Sequence, residues 1–153
     1  MEKSELCFLT IGQLAPLIRR KEVSPLEVTS SFLERIERVD RVTNAYITVM
    51  AKEALSAARQ AEGEIARGKY RGPLHGIPIG LKDLYYTKGV RTTGGSKVRS
   101  WAEFVPKEDA TVVKRLKEAG AVIIGKLNMH EFAAGGTNEN PHYGNTHNPW
   151  DLE

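Results

Sequence analysis

Two short apolar runs separated by a helical stripe constrain this chain more than any other feature. Ile77–Leu84 reads as a buried strand and Ala121–Lys126 as a second, with a helix-period pattern from about Ala110 to Ala119 between them. Asp109 is placed to cap that helix and Gly120 to end it. Strand, helix and strand make a crossover unit, which implies parallel neighbours in a sheet covered by helices. The fold class expected is therefore α/β, with an N-terminal helical layer followed by the start of a mixed or parallel β-sheet covered by helices.

The helical layer occupies residues 1–70. Thr10 and Gln13 have capping-box spacing ahead of Leu14, Leu17 and Ile18, although Pro16 would kink a helix that began at Ile11. A stronger start follows, with Ser24 as N-cap, Pro25 at the first helical position and Glu27 at the third. Leu26, Phe32, Leu33, Ile36 and Val39 then recur at helical spacing, so Pro25–Val39 should be an amphipathic helix. After an extended piece at Ala45–Val49, the stripe Ala51, Ala54, Leu55, Ala58, Ala61 and Ile65 marks another helix, stopped by Gly68. Its small residues suit close packing against a neighbour. Residues 71–153 carry the β-α-β region, a helical turn or two around Met129–Ala134, and a tail rich in Gly, Asn, Pro and Thr from Gly135 onward. A loop of that length without its own structure is unusual in a compact domain and marks either function or an incomplete fold.

At 153 residues the chain can bury a genuine core, and its 41% hydrophobic and 27% charged content is that of a soluble globular protein. The net charge of +3 comes from basic residues interleaved with Asp and Glu, which argues against a nucleic-acid footprint. The single cysteine, Cys7, excludes an intramolecular disulfide, and the N-terminus lacks a signal-peptide pattern, so the expected compartment is the cytoplasm. No apolar run is long enough to span a bilayer.

Within Gly72–Asp83, GPLHGIPIGLKD, the lysine stands out chemically. In a strand, Pro78, Gly80 and Lys82 share one face while Ile77, Ile79, Leu81 and Asp83 share the other. A reacting partner could then approach Lys82 over Gly80, and Asp83 points away from it. Desolvation without a paired carboxylate disfavours the ammonium form, the direction a general base needs. A strand-terminal lysine with its amine in water fits the same pattern, and the alternation does not decide between the two. Ser96, after Gly94 and Gly95, reads as a turn serine, and no G-x-S-x-G elbow occurs. His130, His142 and His147 lack a recognisable metal-ligand spacing, so no metal is expected, and His75 should shape the turn into the strand. Gly135, Gly136, Thr137 and Asn138 could cradle an anion or carbonyl.

Gly72–Asp83, then Gly89–Ser96, Asp109–Phe132, the GGTNEN run from Gly135 and NPWD at Asn148–Asp151 resemble, in order, consecutive blocks of the amidase signature family. The resemblance covers about half the chain, and the helical first half fits more loosely. It implies a Ser-Ser-Lys hydrolase of carboxamides in which Lys82 is the catalytic base. A bridging serine in a cis peptide passes its proton to neutral Lys82 and activates a second serine, which attacks the carbonyl. It also places Thr93 and Ser96 near the active site and Gly135, Gly136, Thr137 and Asn138 beside the substrate pocket. Both serines belong to a Gly-Gly-Ser-Ser-Gly-Gly-Ser type segment absent from residues 1–153.

The expectation is thus the N-terminal part of a single amidase domain, inactive alone, with no cofactor. Its partners would be a small-molecule amide, the remainder of the amidase chain and, through exposed sheet surface, other copies of itself, with no membrane or nucleic acid. A glutaminase subunit of a tRNA-dependent amidotransferase is the alternative within the family, and a non-catalytic binding or assembly module the alternative outside it.

Overall fold

A computed structural model describes residues 4–151. Its elements are a 3-10 turn at Glu5–Phe8, helices α1 (Ile11–Arg19) and α2 (Pro25–Thr43), strand β1 (Tyr46–Val49), helix α3 (Ala51–Ala66), strand β2 (Pro78–Lys82), helices α4 (Arg99–Ala102) and α5 (Thr111–Glu118), strand β3 (Val122–Leu127), and a 3-10 turn at Glu131–Ala133. The fold is α/β, with a three-stranded sheet in the order β1-β3-β2. β1 runs antiparallel to β3. Between β2 and β3 the bonds Val122 N–H to Ile77 O and Asp83 N–H to Leu127 O advance in the same direction along both strands, so this pair is parallel, as the crossover unit requires. Among the described residues no helix is long and apolar enough to cross a membrane.

The chain divides into two compact units. In the first, comprising residues 1–38, 50–79 and 115–124, Leu6, Leu14, Ile18, Val23, Val28, Ile65 and Ile77 form the core. The capping signals explain its helices. Ser24 N–H donates to the Glu27 carboxylate at 2.8 Å while Glu27 N–H donates to Ser24 Oγ at 3.0 Å, a complete capping box at the start of α2. Thr10 N–H likewise donates to Gln13 Oε1 at 2.8 Å before α1, which accommodates Pro16. The small stripe of α3 is buried at Ala54, Ala58 and Ala61. His75 does shape the turn into β2: its N–H reaches Gly72 O, and the next residue, Gly76, bonds Gly120 O.

The second unit comprises residues 39–49, 80–114 and 125–153. Two boundaries differ from the sequence expectation here. α2 runs on to Thr43 rather than ending at Val39, and Asp40 Oδ1 then accepts the Ala45 N–H at 2.7 Å to turn the chain into β1. β2 stops at Lys82 rather than Leu84, because Lys82 O accepts the Tyr85 N–H and draws the following residues into a turn. The helical turns expected at Met129–Ala134 reduce to the 3-10 turn, where Phe132 and Ala133 have φ of 50° and 58° and so cannot continue a right-handed helix. The polar tail is ordered by asparagine side chains. Asn44 Nδ2 donates to Tyr143 O and Asn145 O, and Asn128 Nδ2 to Asn44 O and Gly144 O.

Candidate active site

β2 delivers Lys82 as its last residue, and the alternation is clear only at its end: Leu81 and Asp83 are buried and Lys82 is exposed, whereas Pro78, Ile79 and Gly80 are all half-buried. The described residues therefore do not desolvate Lys82. Nor is the space over Gly80 open to a reacting partner. A Cβ there would lie 2.9 Å from Leu127 Cδ2, so the missing side chain makes room for Leu127 of the neighbouring strand.

Immediately after Lys82, Asp83 enters a fully buried network. Its Oδ2 accepts from Thr93 N–H at 2.8 Å and Thr93 Oγ1 at 2.6 Å. Its Oδ1 lies 3.1 Å from Lys126 Nζ, and both side chains are 0% exposed. Lys126 also donates to Thr92 Oγ1 at 2.8 Å and Tyr85 O at 2.9 Å, while its contact with Asp83 Oδ1 is an ion pair without hydrogen-bond alignment. Burial pushes the Lys126 ammonium below the usual lysine range, and the Asp83 carboxylate opposes that shift. The backbone is held as well: Asp83 N–H donates to Leu127 O at 3.1 Å and Asp83 O accepts from Gly94 N–H at 3.2 Å.

Thr93 and Ser96 are both buried in the turn so held. Gly94 and Gly95 adopt φ of 62° and 73°, Thr93 Oγ1 accepts the Gly95 N–H, and Ser96 Oγ accepts the Val98 N–H. Ser96 is thus a turn serine. Asn140 ties the tail to this turn, donating to Gly95 O at 2.8 Å and Met129 O at 2.7 Å while its Oδ1 accepts from His142 and Tyr143 N–H. Gly135, Gly136 and Thr137 are exposed, and half-buried Asn138 donates to Thr146 Oγ1 at 2.6 Å. A Cβ on Gly136 would meet nothing, whereas one on Gly135 would enter the His130 ring. His142 Nε2 lies 2.8 Å from Glu131 Oε1, and the Ser96 hydroxyl, then His142, holds the Glu131 carboxyl below its usual range.

The structure thus joins Thr93 directly to the residue after Lys82 and places Ser96 in the same turn. It shows no hydrogen bond from Lys82 to Gly135, Gly136, Thr137 or Asn138 among the described residues. Sequence reasoning missed the Asp83–Lys126 pair. No local signal separates Lys126 from Lys82, since each lysine ends a short apolar run and only Lys82 is exposed.

A family model described as Amidase matches residues 27–153. The chain is similar to a glutamyl-tRNA(Gln) amidotransferase subunit of Moorella thermoacetica, at 52% identity over 97% of this chain and 30% of that protein, and to the equally named protein of Geobacter metallireducens, at 53% identity with the same coverage. It thus spans about 30% of the length of the curated relatives it matches. Among solved structures it resembles fatty acid amide hydrolase, with a TM-score of 0.91 and 29% identity over 99% of this chain and 26% of that one. It also resembles the peptide amidase of Stenotrophomonas maltophilia, with a TM-score of 0.84 and 32% identity over 93% of this chain and 30% of that one. With the family model covering residues 27–153 and the parallel β2–β3 pair in place, the chain belongs to the Amidase family.

Proposed function

We propose that this chain is part of a glutaminase subunit that hydrolyses the carboxamide of glutamine and passes the ammonia on for amidation of tRNA-bound glutamate, with Lys82 as general base. One observation carries the choice of substrate: relatives bearing the amidotransferase name reach 53% identity over nearly the whole chain, whereas similarity to fatty acid amide hydrolase stops at 29%. In this reading neutral Lys82 accepts the proton of a bridging serine, which takes one from the nucleophilic serine. The serine oxygen bonds to the amide carbon, the C–N bond breaks, and ammonia leaves with a proton. Water then cleaves the ester to glutamate. Lysine acts as a base only when neutral, which water exclusion favours. As Lys82 is exposed among the described residues, substrate or other protein must cover it. The setting is cytoplasmic, and Gly135, Gly136, Thr137 and Asn138 line the approach of the substrate.

A general amidase is the second reading, favoured by the likeness to the peptide amidase. The test is ammonia release by the intact protein from glutamine, with and without partner subunits plus charged tRNA, and from benzamide without them. Glutamine hydrolysis that depends on the partner and tRNA supports the first reading, and benzamide hydrolysis by the protein alone overturns it. In either reading Lys82→Ala should abolish turnover, and retained activity would remove Lys82 as base.

A further inference from the structure

We infer that Asp83 and Lys126 are positioning residues for Lys82: their buried ion pair fixes the end of β2 against the Gly94–Gly95 turn and so sets where the Lys82 side chain leaves the strand. The inference rests on the reading of Lys82 as base and adds to it the means by which an exposed lysine keeps one direction.

The geometry carries it. The direction in which Lys82 leaves the strand is inherited from the peptide groups on either side of its Cα. The one that follows, between Lys82 and Asp83, is pinned at both ends: Lys82 O accepts from Tyr85 N–H at 3.0 Å and Asp83 N–H donates to Leu127 O at 3.1 Å. The Asp83 carboxylate then holds Thr93 through two bonds, and Asp83 O holds Gly94. Lys126, one residue before Leu127, reaches across to Asp83 Oδ1, Tyr85 O and Thr92 Oγ1. The ammonium therefore clamps three points of one loop: the residue after the candidate base, the turn that closes β2, and the segment leading into the glycine turn. A buried pair is weak evidence for stability as such, because apolar replacement is often neutral. What it supplies that an apolar contact does not is direction, because the bonds from Lys126 to Tyr85 O and Thr92 Oγ1 weaken steeply away from their preferred angles.

The experiment compares Asp83→Asn, Lys126→Met and Lys82→Ala in the intact protein, with L-glutamine as probe and rates normalised to the concentration of folded protein. Displacing the base without removing it should lower kcat by about tenfold to a hundredfold. KM should stay within about twofold, because substrate binding is untouched. The pH–rate profile of Asp83→Asn should also shift along the limb that reports the base, which a purely structural role would not move. Wild-type kcat and pH profile per folded protein in both Asp83→Asn and Lys126→Met, with Lys82→Ala inactive, overturns this inference and leaves Lys82 as base. An active Lys82→Ala overturns both. If neither charge variant folds, Thr92→Val removes a single bond to Lys126, and the same kcat loss at smaller size is expected. Unchanged kcat and pH profile in that variant overturns the inference equally.

Discussion

The Asp83 carboxylate and the Lys126 ammonium stand 3.1 Å apart with neither side chain exposed, one residue from the exposed Lys82. Removing one member of such a pair strands the other without water. Lys126→Met should therefore destabilise the protein by about 3–5 kcal/mol. The double substitution Asp83→Asn with Lys126→Met should recover part of that loss, since no buried charge is left alone and Asn can still accept from Thr93. Denaturant unfolding of the three variants checks this. A double variant as unstable as the sum of the singles would mean that the two residues are not coupled.

How much of this is legible in the sequence depends on the range of the interaction. The Ser24 capping box, the Gly68 and Gly120 helix stops and the alternation at the end of β2 rest on neighbours within a few residues, and they appear as read. β2 ends earlier than expected because Lys82 O accepts the Tyr85 N–H, and the turn so formed is held by Asp83 contacts with Thr93 and Lys126, ten and more residues away, which no local propensity records. The turn at Phe132 and Ala133 departs from the expected helix for a related reason: Phe132 N–H bonds Gly94 O, and this distant contact imposes a positive φ on a residue with ordinary helical propensity. The order of the polar tail is invisible in the sequence because Asn44, Asn128 and Asn140 are organisers only once their distant carbonyls are in place.

His75 should make stability depend on pH. Its Nδ1 accepts the Arg71 N–H at 3.1 Å, so the neutral ring carries its proton on Nε2, 3.2 Å from Glu64. Burial lowers its pKa from 6.5, Glu64 opposes this, and Arg71 adds to it. The folded state thus resists a proton that the unfolded chain accepts. The stability it contributes is complete above about pH 6.5 and is lost as pH falls from there through the folded value. Melting temperatures between neutral and mildly acidic pH should fall more steeply for the wild type than for His75→Gln. Parallel curves would show that His75 does not carry the effect.

Gly120 ends α5 with φ of 84°, and a Cβ there would enter the buried His75 ring. Gly120→Ala combines a left-handed residue, about 1–2 kcal/mol, with overpacking of about 1–3 kcal/mol. The expected loss is about 2–5 kcal/mol by the same principles. Gly68→Ala is the control: φ is 81° but nothing lies within reach of the Cβ, so only the backbone cost of about 1–2 kcal/mol applies. Equal losses at the two positions would contradict the packing argument, and chemical denaturation separates them.

Asn140 holds the tail on the glycine turn. Its amide donates to Gly95 O and Met129 O, and its Oδ1 accepts from His142 and Tyr143 N–H, all with the side chain buried. Asn140→Ala leaves those carbonyls and amides without the side-chain partner, at about 1–3 kcal/mol for a buried unsatisfied group. Asn140→Asp should do no better, because a carboxylate has no donor for either carbonyl. The sharper readout is local. Hydrogen exchange at the His142 and Tyr143 amides should accelerate in both variants more than at the β3 amides. Aspartate keeps an acceptor for those two N–H groups, so the alanine variant should show the larger increase. Unchanged protection at residues 142 and 143 in the alanine variant would mean that the tail is held by Asn44 and Asn128 alone.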